Sequence, residues 1–180
     1  MKKWTWILIA VVMVGLIGGA SVLYDQLAMD FAPVQNVTEA EVKLAPDFTV
    51  TDAEGNQVKL SDFFGKPIVL NFWASWCGPC QYEMPDFEDA YKTYGEDVAF
   101  LMVNLTDGYS ETVSSAKAFL EDTGYTFPVY FDTLSEGFKA YQVYSIPCTY
   151  FLDANGALVT KNLGMISADA LQQGIELICE

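Results

Sequence analysis

Residues Trp76 to Cys80 read Trp-Cys-Gly-Pro-Cys. Two thiols separated by two residues can close a small disulfide loop when the backbone takes up a helical first turn, which brings both sulfurs near bonding distance. Such a pair holds or releases two electrons by thiol–disulfide exchange. The competing chemistry for a Cys-x-x-Cys is half of a zinc site, which needs a second pair of ligands. The chain has no histidine, and its two other cysteines, Cys148 and Cys179, form no ligand-spaced pair. The expectation is therefore a redox-active Cys77–Cys80 disulfide, with no metal and no added cofactor.

The elements around the pair must hold it at a strand-to-helix junction. Ile68-Val69-Leu70-Asn71-Phe72-Trp73 is an apolar run with β-branched and aromatic residues, and Gln81 to Tyr94 has helical spacing. Free amides and the positive dipole end at a helix N-terminus favour a thiolate over a thiol, so Cys77 is expected to be the attacking sulfur. Cys80, one turn further in, is expected to be more buried and to resolve a mixed disulfide formed on Cys77. Gly78 lets a partner approach closely, and Pro79 takes a helical φ without losing a needed donor. Phe72, Trp73, Phe87 and Tyr91 read as core, whereas Trp76, beside Cys77, is assigned to partner contact.

Three stretches precede or form the domain. Lys2 and Lys3 are followed by Trp4 to Leu23, an uncharged run of bilayer-spanning length. Residues 1–24 are therefore read as a signal-anchor or transmembrane segment. Cleavage near Gly18-Gly19-Ala20 is the competing outcome, which would make the protein secreted. Residues 25–44 read as a tether and 45–180 as the domain, which the positive-inside rule puts on the extracytoplasmic side. Without Lys2 and Lys3, seven lysines face 24 acidic side chains, a net charge of -17. So acidic a domain is not expected to bind nucleic acid or anionic lipid through its general field.

Within the domain, Phe48 and Val50 with Val58 and Leu60 predict a hairpin around Asp52–Asn56, and Ser61–Gly65 one helical turn. After the redox junction come a strand over Val98–Leu105, a helix over about Ser110–Asp122 closed by Gly124, and a strand over Phe127–Phe131. A short helix over Leu134–Tyr141, a hairpin of Thr149–Leu152 with Leu158–Leu163, and a helix over Ser167–Ile178 complete it. The βαβα alternation predicts a parallel core.

Trp-Cys-Gly-Pro-Cys after a hydrophobic strand, Pro85 beyond it, and Ile146-Pro147 before the last hairpin together resemble the thioredoxin fold. The opening Ala45-Pro46-Asp47-Phe48 and the run Asn71-Phe72-Trp73-Ala74-Ser75-Trp76-Cys77 are similar to its membrane-anchored TlpA/ResA branch. The resemblance implies an α/β fold: a central mixed sheet flanked by helices, with an added N-terminal β-hairpin. It implies a protein-disulfide reductase fed by a membrane electron donor, with clients such as apocytochromes or peroxide and methionine sulfoxide reductases. It also implies a cis Pro147 against the disulfide, and a backbone at Ile146 that pairs with a bound client.

Two residues depart from the wider fold family. Cytosolic thioredoxins carry a buried aspartate at the position of Asn71, which cannot ionise; Glu83 is near enough in sequence to stand in as the carboxylate, although as a helix residue it reads more simply as solvated. Cys148 replaces a usual threonine after the cis-proline. It is either a third redox thiol able to pair with Cys80 or a small buried residue, and strand alternation favours the second. Cys179 has no evident partner. The same pair could run as a thiol oxidase, or bind Cu(I) with Cys148 or Met84 as a chaperone. A peroxiredoxin is disfavoured because the chain has no arginine to activate peroxide.

Overall fold

The computed structural model describes residues 43–180. The expected membrane or signal segment over 1–24 and nearly all of the tether over 25–44 lie outside the described residues. Among the described residues no helix is long and apolar enough to cross a membrane.

Seven strands form one sheet: β1 Thr49–Thr51, β2 Gln57–Lys59, β3 Ile68–Trp73, β4 Ala99–Asn104, β5 Val129–Phe131, β6 Cys148–Leu152 and β7 Leu158–Leu163. Their spatial order is β2-β1-β5-β4-β3-β6-β7. β3, β4 and β5 run parallel, and the remaining neighbours pair antiparallel, so the sheet is mixed. The helices are α1 Gly78–Tyr94, α2 Val113–Thr123, the short α3 Glu136–Ala140 and α4 Ala168–Ile178, with a 3-10 turn over Leu60–Phe63.

Local chemistry explains where these elements depart from the sequence pattern. α2 starts at Val113 rather than near Ser110, because Thr112 and Ser115 form a reciprocal cap in which each side chain meets the other's backbone N–H. Gly124, with φ of 70°, closes that helix in the left-handed region where a side chain is disfavoured. Pro128 has no N–H for a ladder, and β5 begins one residue later. α3 begins at Glu136 because the buried Asp132 carboxylate accepts the N–H groups of Glu136 and Phe138, both at 2.8 Å.

All six residues of β3 are buried, as a central strand covered on both faces requires. Alternation sends Val69 and Trp73 to one face, where they meet Met84 and Phe87 of α1 and Leu171 and Ile175 of α4. Ile68, Leu70 and Phe72 go to the other, against Phe48, Val50, Leu60 and Tyr150. Contact between α4 and the sheet is so close at Gly174 that an added Cβ would overlap the ring of Phe151. Gly174→Val is therefore expected to lower the stability of the oxidised protein by about 1–3 kcal/mol, through forced displacement of α4. Urea unfolding would check this, and an unchanged midpoint would mean that the helix has room to spare.

Candidate active site

β3 ends at Trp73, and the chain crosses to α1 through Ala74, Ser75 and Trp76. Leu105 N–H donates to the Trp73 carbonyl at 2.9 Å, and Cys77 N–H to the Ala74 carbonyl at 3.2 Å, so both sides of the turn are tied. Cys77 is the N-cap of α1, in extended conformation, and its sulfur accepts the N–H of Cys80 at 3.2 Å. The two cysteines are joined in a disulfide with Cα atoms 5.2 Å apart. Cys77 is 4% exposed and Cys80 1%, so the N-cap sulfur is the more open of two well-covered atoms. No carboxylate occupies the first turn of α1 to oppose a thiolate there.

Behind the disulfide the structure corrects one expectation. Glu83 is not a solvated helix residue: it is 1% exposed, one turn beyond Cys80 and on the same face as Met84 and Phe87. Its Oε2 accepts the N–H of Ile166 at 2.8 Å, and its Oε1 accepts Nδ2 of Asn71 at 3.0 Å. Asn71 Nδ2 also donates to Thr149 Oγ1 at 3.0 Å. These neutral donors offset only part of the cost of burying a charge. Burial therefore pushes the Glu83 carboxyl up to about 7, with a small further push from Asp86. Helical spacing contained this answer, since positions 80, 83, 84 and 87 share one face. Thr149 and the Ile166 amide gave no such signal, because they arrive from β6 and the segment before α4.

Strand alternation turns Cys148 toward the other half of the core. The Ile146–Pro147 peptide is cis, and β6 starts at Cys148, opposite Phe72 of β3. Cys148, Tyr150 and Leu152 point into the half of the core that holds Leu70 and Phe72, whereas Cys77 and Cys80 belong to the other half. Cys80 is joined to Cys77, and Cys148 is a free, buried thiol. Burial pushes the Cys148 thiol up to about 11, so it stays protonated at neutral pH. Cys179 is exposed at the C-terminal end of α4.

Two hollows flank the disulfide. One, of about 520 Å³, is lined by Gly78, Pro79, Tyr82, Ile146, Pro147 and Met165. The other, of about 470 Å³, runs from Trp76 and Ile146 past Leu105 and Thr106 to Phe138 and Tyr144. Ile146 borders both, so Trp76, Gly78, Pro79, Ile146 and Pro147 form one continuous surface around the sulfurs. Trp76 is 59% exposed and Tyr82 76%, a costly display of aromatic area unless something covers it. Tyr82, Tyr144 and Met165 were missed in the sequence because exposure of a helix or loop aromatic leaves no periodic trace. The arrangement can take a chain across Ile146 and Pro147 and expose one of its sulfurs to Cys77.

Comparison with known proteins agrees with this geometry. The sequence pattern of the AhpC/TSA family matches residues 42–161. The chain is 33% identical over 178 residues to the thioredoxin-like protein YneN of Bacillus subtilis, covering 98% of this chain and 99% of that one. It is 36% identical over 135 residues to the thiol-disulfide oxidoreductase ResA of Geobacillus kaustophilus, covering 74% and 75%. Among solved structures, the pneumococcal exposed lipoprotein thioredoxin Etrx1 of Streptococcus pneumoniae superposes with a TM-score of 0.64 at 32% identity, over 72% of this chain and 98% of that one. StoA of Bacillus subtilis gives 0.63 at 26% identity, over 73% and 97%. With the Cys77–Cys80 disulfide on a mixed sheet of this topology, the chain belongs to the AhpC/TSA family and, within it, to the ResA-like thioredoxin-fold thiol-disulfide oxidoreductases.

Proposed function

We propose that the chain is an extracytoplasmic protein-disulfide reductase, tethered by residues 1–24 and reset by a membrane electron donor. The observation that carries the reading is the Cys77–Cys80 pair at the N-terminus of α1, with a buried carboxyl one turn behind the inner sulfur. The uncharged N-terminal run after Lys2 and Lys3 supports the location.

In the reduced protein the Cys77 thiolate attacks one sulfur of a client disulfide; a Cys77–client bond forms, and the client's other sulfur leaves as a thiolate. Cys80 then loses its proton and attacks the Cys77 sulfur, which frees the client's second thiolate and closes the Cys77–Cys80 disulfide. Two electrons have passed to the client, and a dithiol donor returns them. Glu83 is the group that takes the Cys80 proton, because a carboxyl near 7 exchanges protons at working pH. Asn71 holds that carboxyl in place, a task that needs a donor amide and no charge. Trp76, Gly78, Pro79, Ile146 and Pro147 bear the client, whose identity as an apocytochrome or a peroxide or methionine sulfoxide reductase follows from the family resemblance.

The redox equilibrium of the full-length chain in dithiothreitol and glutathione buffers tests the direction. A potential near about -270 mV is expected, while one near about -120 mV would make the protein an oxidase. Cys148→Thr should leave that potential unchanged, since the Cys148 side chain lies across the sheet from the disulfide. With a disulfide-bonded client, Cys80→Ser should accumulate a mixed disulfide visible on non-reducing gels, and Cys77→Ser should not; trapping by Cys77→Ser alone would reverse the assigned roles, and trapping by both or neither would remove them.

Glu83 also makes stability depend on pH. Its folded value, about 7, lies above the ordinary carboxylate value of 4.5, so the folded protein holds the proton more tightly than the unfolded chain. Stability is then greatest below pH 4.5, falls as pH rises to about 7 and is flat beyond. The full drop for this one group is up to about 3 kcal/mol. Urea titrations of the oxidised protein should show that slope in the wild type and lose it in Glu83→Gln; equal slopes would place the proton elsewhere.

A further inference from the structure

A second buried carboxylate lies under the active-site turn, and the exchange chemistry does not use it. Glu111 is in the loop between β4 and α2, yet it is 1% exposed. Its Oε2 accepts both the backbone N–H of Ser75 at 3.1 Å and the Ser75 hydroxyl at 2.8 Å. Its Oε1 accepts Nδ2 of Asn104 at 3.0 Å, and Asn104 Oδ1 in turn accepts the Thr106 hydroxyl at 2.8 Å. The loop is folded around this contact: Asp107 Oδ1 accepts the N–H of Glu111 at 3.0 Å, and Gly108 N–H donates to the Glu111 carbonyl at 2.9 Å.

The partners sit at telling places. Ser75 is the middle residue of the turn that delivers Trp76 and Cys77, and its carbonyl accepts Nε2 of Gln81 from the first turns of α1. Asn104 ends β4 and is in register with Trp73, the last residue of β3. One side chain therefore joins the end of β4 to the turn between β3 and the redox helix. Asn104 also leads into Leu105 and Thr106, which line with Trp76 the hollow of about 470 Å³. A buried carboxylate whose partners among the described residues are neutral donors is costly, and an apolar residue of that size would leave the Ser75 N–H and the Asn104 amide without acceptors.

We propose that Glu111 is a positioning residue for thiol exchange: through Ser75 it fixes where Cys77 and Trp76 stand at the head of α1, and through Asn104 it fixes the opposite wall of the client cleft. It acts by geometry and transfers no proton. The proposal rests on Cys77 being the attacking sulfur.

The test uses full-length Glu111→Ala, Glu111→Gln, Ser75→Ala and the Glu111→Ala/Ser75→Ala double variant. Two readouts are compared: kcat/KM for reduction of insulin disulfides with dithiothreitol as donor, and the pH midpoint of Cys77 alkylation by iodoacetamide. Glu111→Ala is expected to lower kcat/KM about tenfold or more and to raise the alkylation midpoint, because the sulfur no longer sits squarely at the helix terminus. Glu111→Gln keeps an acceptor for Ser75 and should stay within about threefold of wild type. Ser75→Ala should cost about threefold alone and nothing further on top of Glu111→Ala, since both remove one interaction. A folded Glu111→Ala with wild-type rate and midpoint would overturn the proposal, as would strictly additive losses or a Gln variant as impaired as Ala. Should Glu111→Ala not fold, a Ser75→Ala protein with unchanged rate and midpoint overturns it equally. A wild-type chain inactive on insulin would count against the reductase reading, while the alkylation midpoints would still decide the role of Glu111.

Discussion

The chemistry depends on one junction: the end of a fully buried strand feeding directly into the free amides of a helix N-terminus. β3 is packed on both faces and hydrogen-bonded on both edges, so its last residue has almost no freedom. Cys77 inherits that rigidity as the N-cap of α1, and the helix supplies unpaired N–H groups and a dipole that favour a thiolate. The pair can be reactive and rigid together because its position is set by the sheet and its electrostatics by the helix.

Placing titratable groups behind such a junction has a cost that the structure divides between two solutions. Glu83 is buried among neutral donors, and its carboxyl accordingly rises to about 7. Glu88, by contrast, meets the Thr126 and Phe127 amides, the Thr126 hydroxyl and Lys92, and those contacts outweigh desolvation and hold it below the ordinary range. Both are carboxyls of one helix, five residues apart. The difference lies in what each meets: a cation and several donors for the structural one, two neutral donors for the one beside Cys80.

Around the sulfurs the protein exposes aromatic and thioether surface while the rest of the domain carries a large negative charge. An apolar rim on an acidic body sets this region apart from the charged surface around it. Ile146 borders both hollows beside that region, and Pro147 borders one of them.

By itself the sequence determined the local structure and the reactive pair. Period-two and period-3.6 patterns located the strands and helices within a few residues, and a Cys-Gly-Pro-Cys between a buried strand and an amphipathic helix left little room for other chemistry. The resemblance carried by Ile146-Pro147 and the opening Ala45-Pro46-Asp47-Phe48 supplied the mixed sheet. Tertiary structure decided which polar groups meet. Glu83 looked solvated because a helix tells its faces apart only by what packs against them, and α4, β6 and the Ile166 amide arrive from more than 60 residues away. Cys148 and Thr149 are neighbours in sequence but face opposite halves of the core once β6 takes its register against β3. Glu111 fell within the helix predicted over about Ser110–Asp122 with nothing to single it out, and only the spatial adjacency of the ends of β3 and β4 brings it under Ser75. Periodicity is a property of neighbouring residues and is written in the chain. The pairing of buried polar atoms joins distant segments, and nothing local in the sequence requires it.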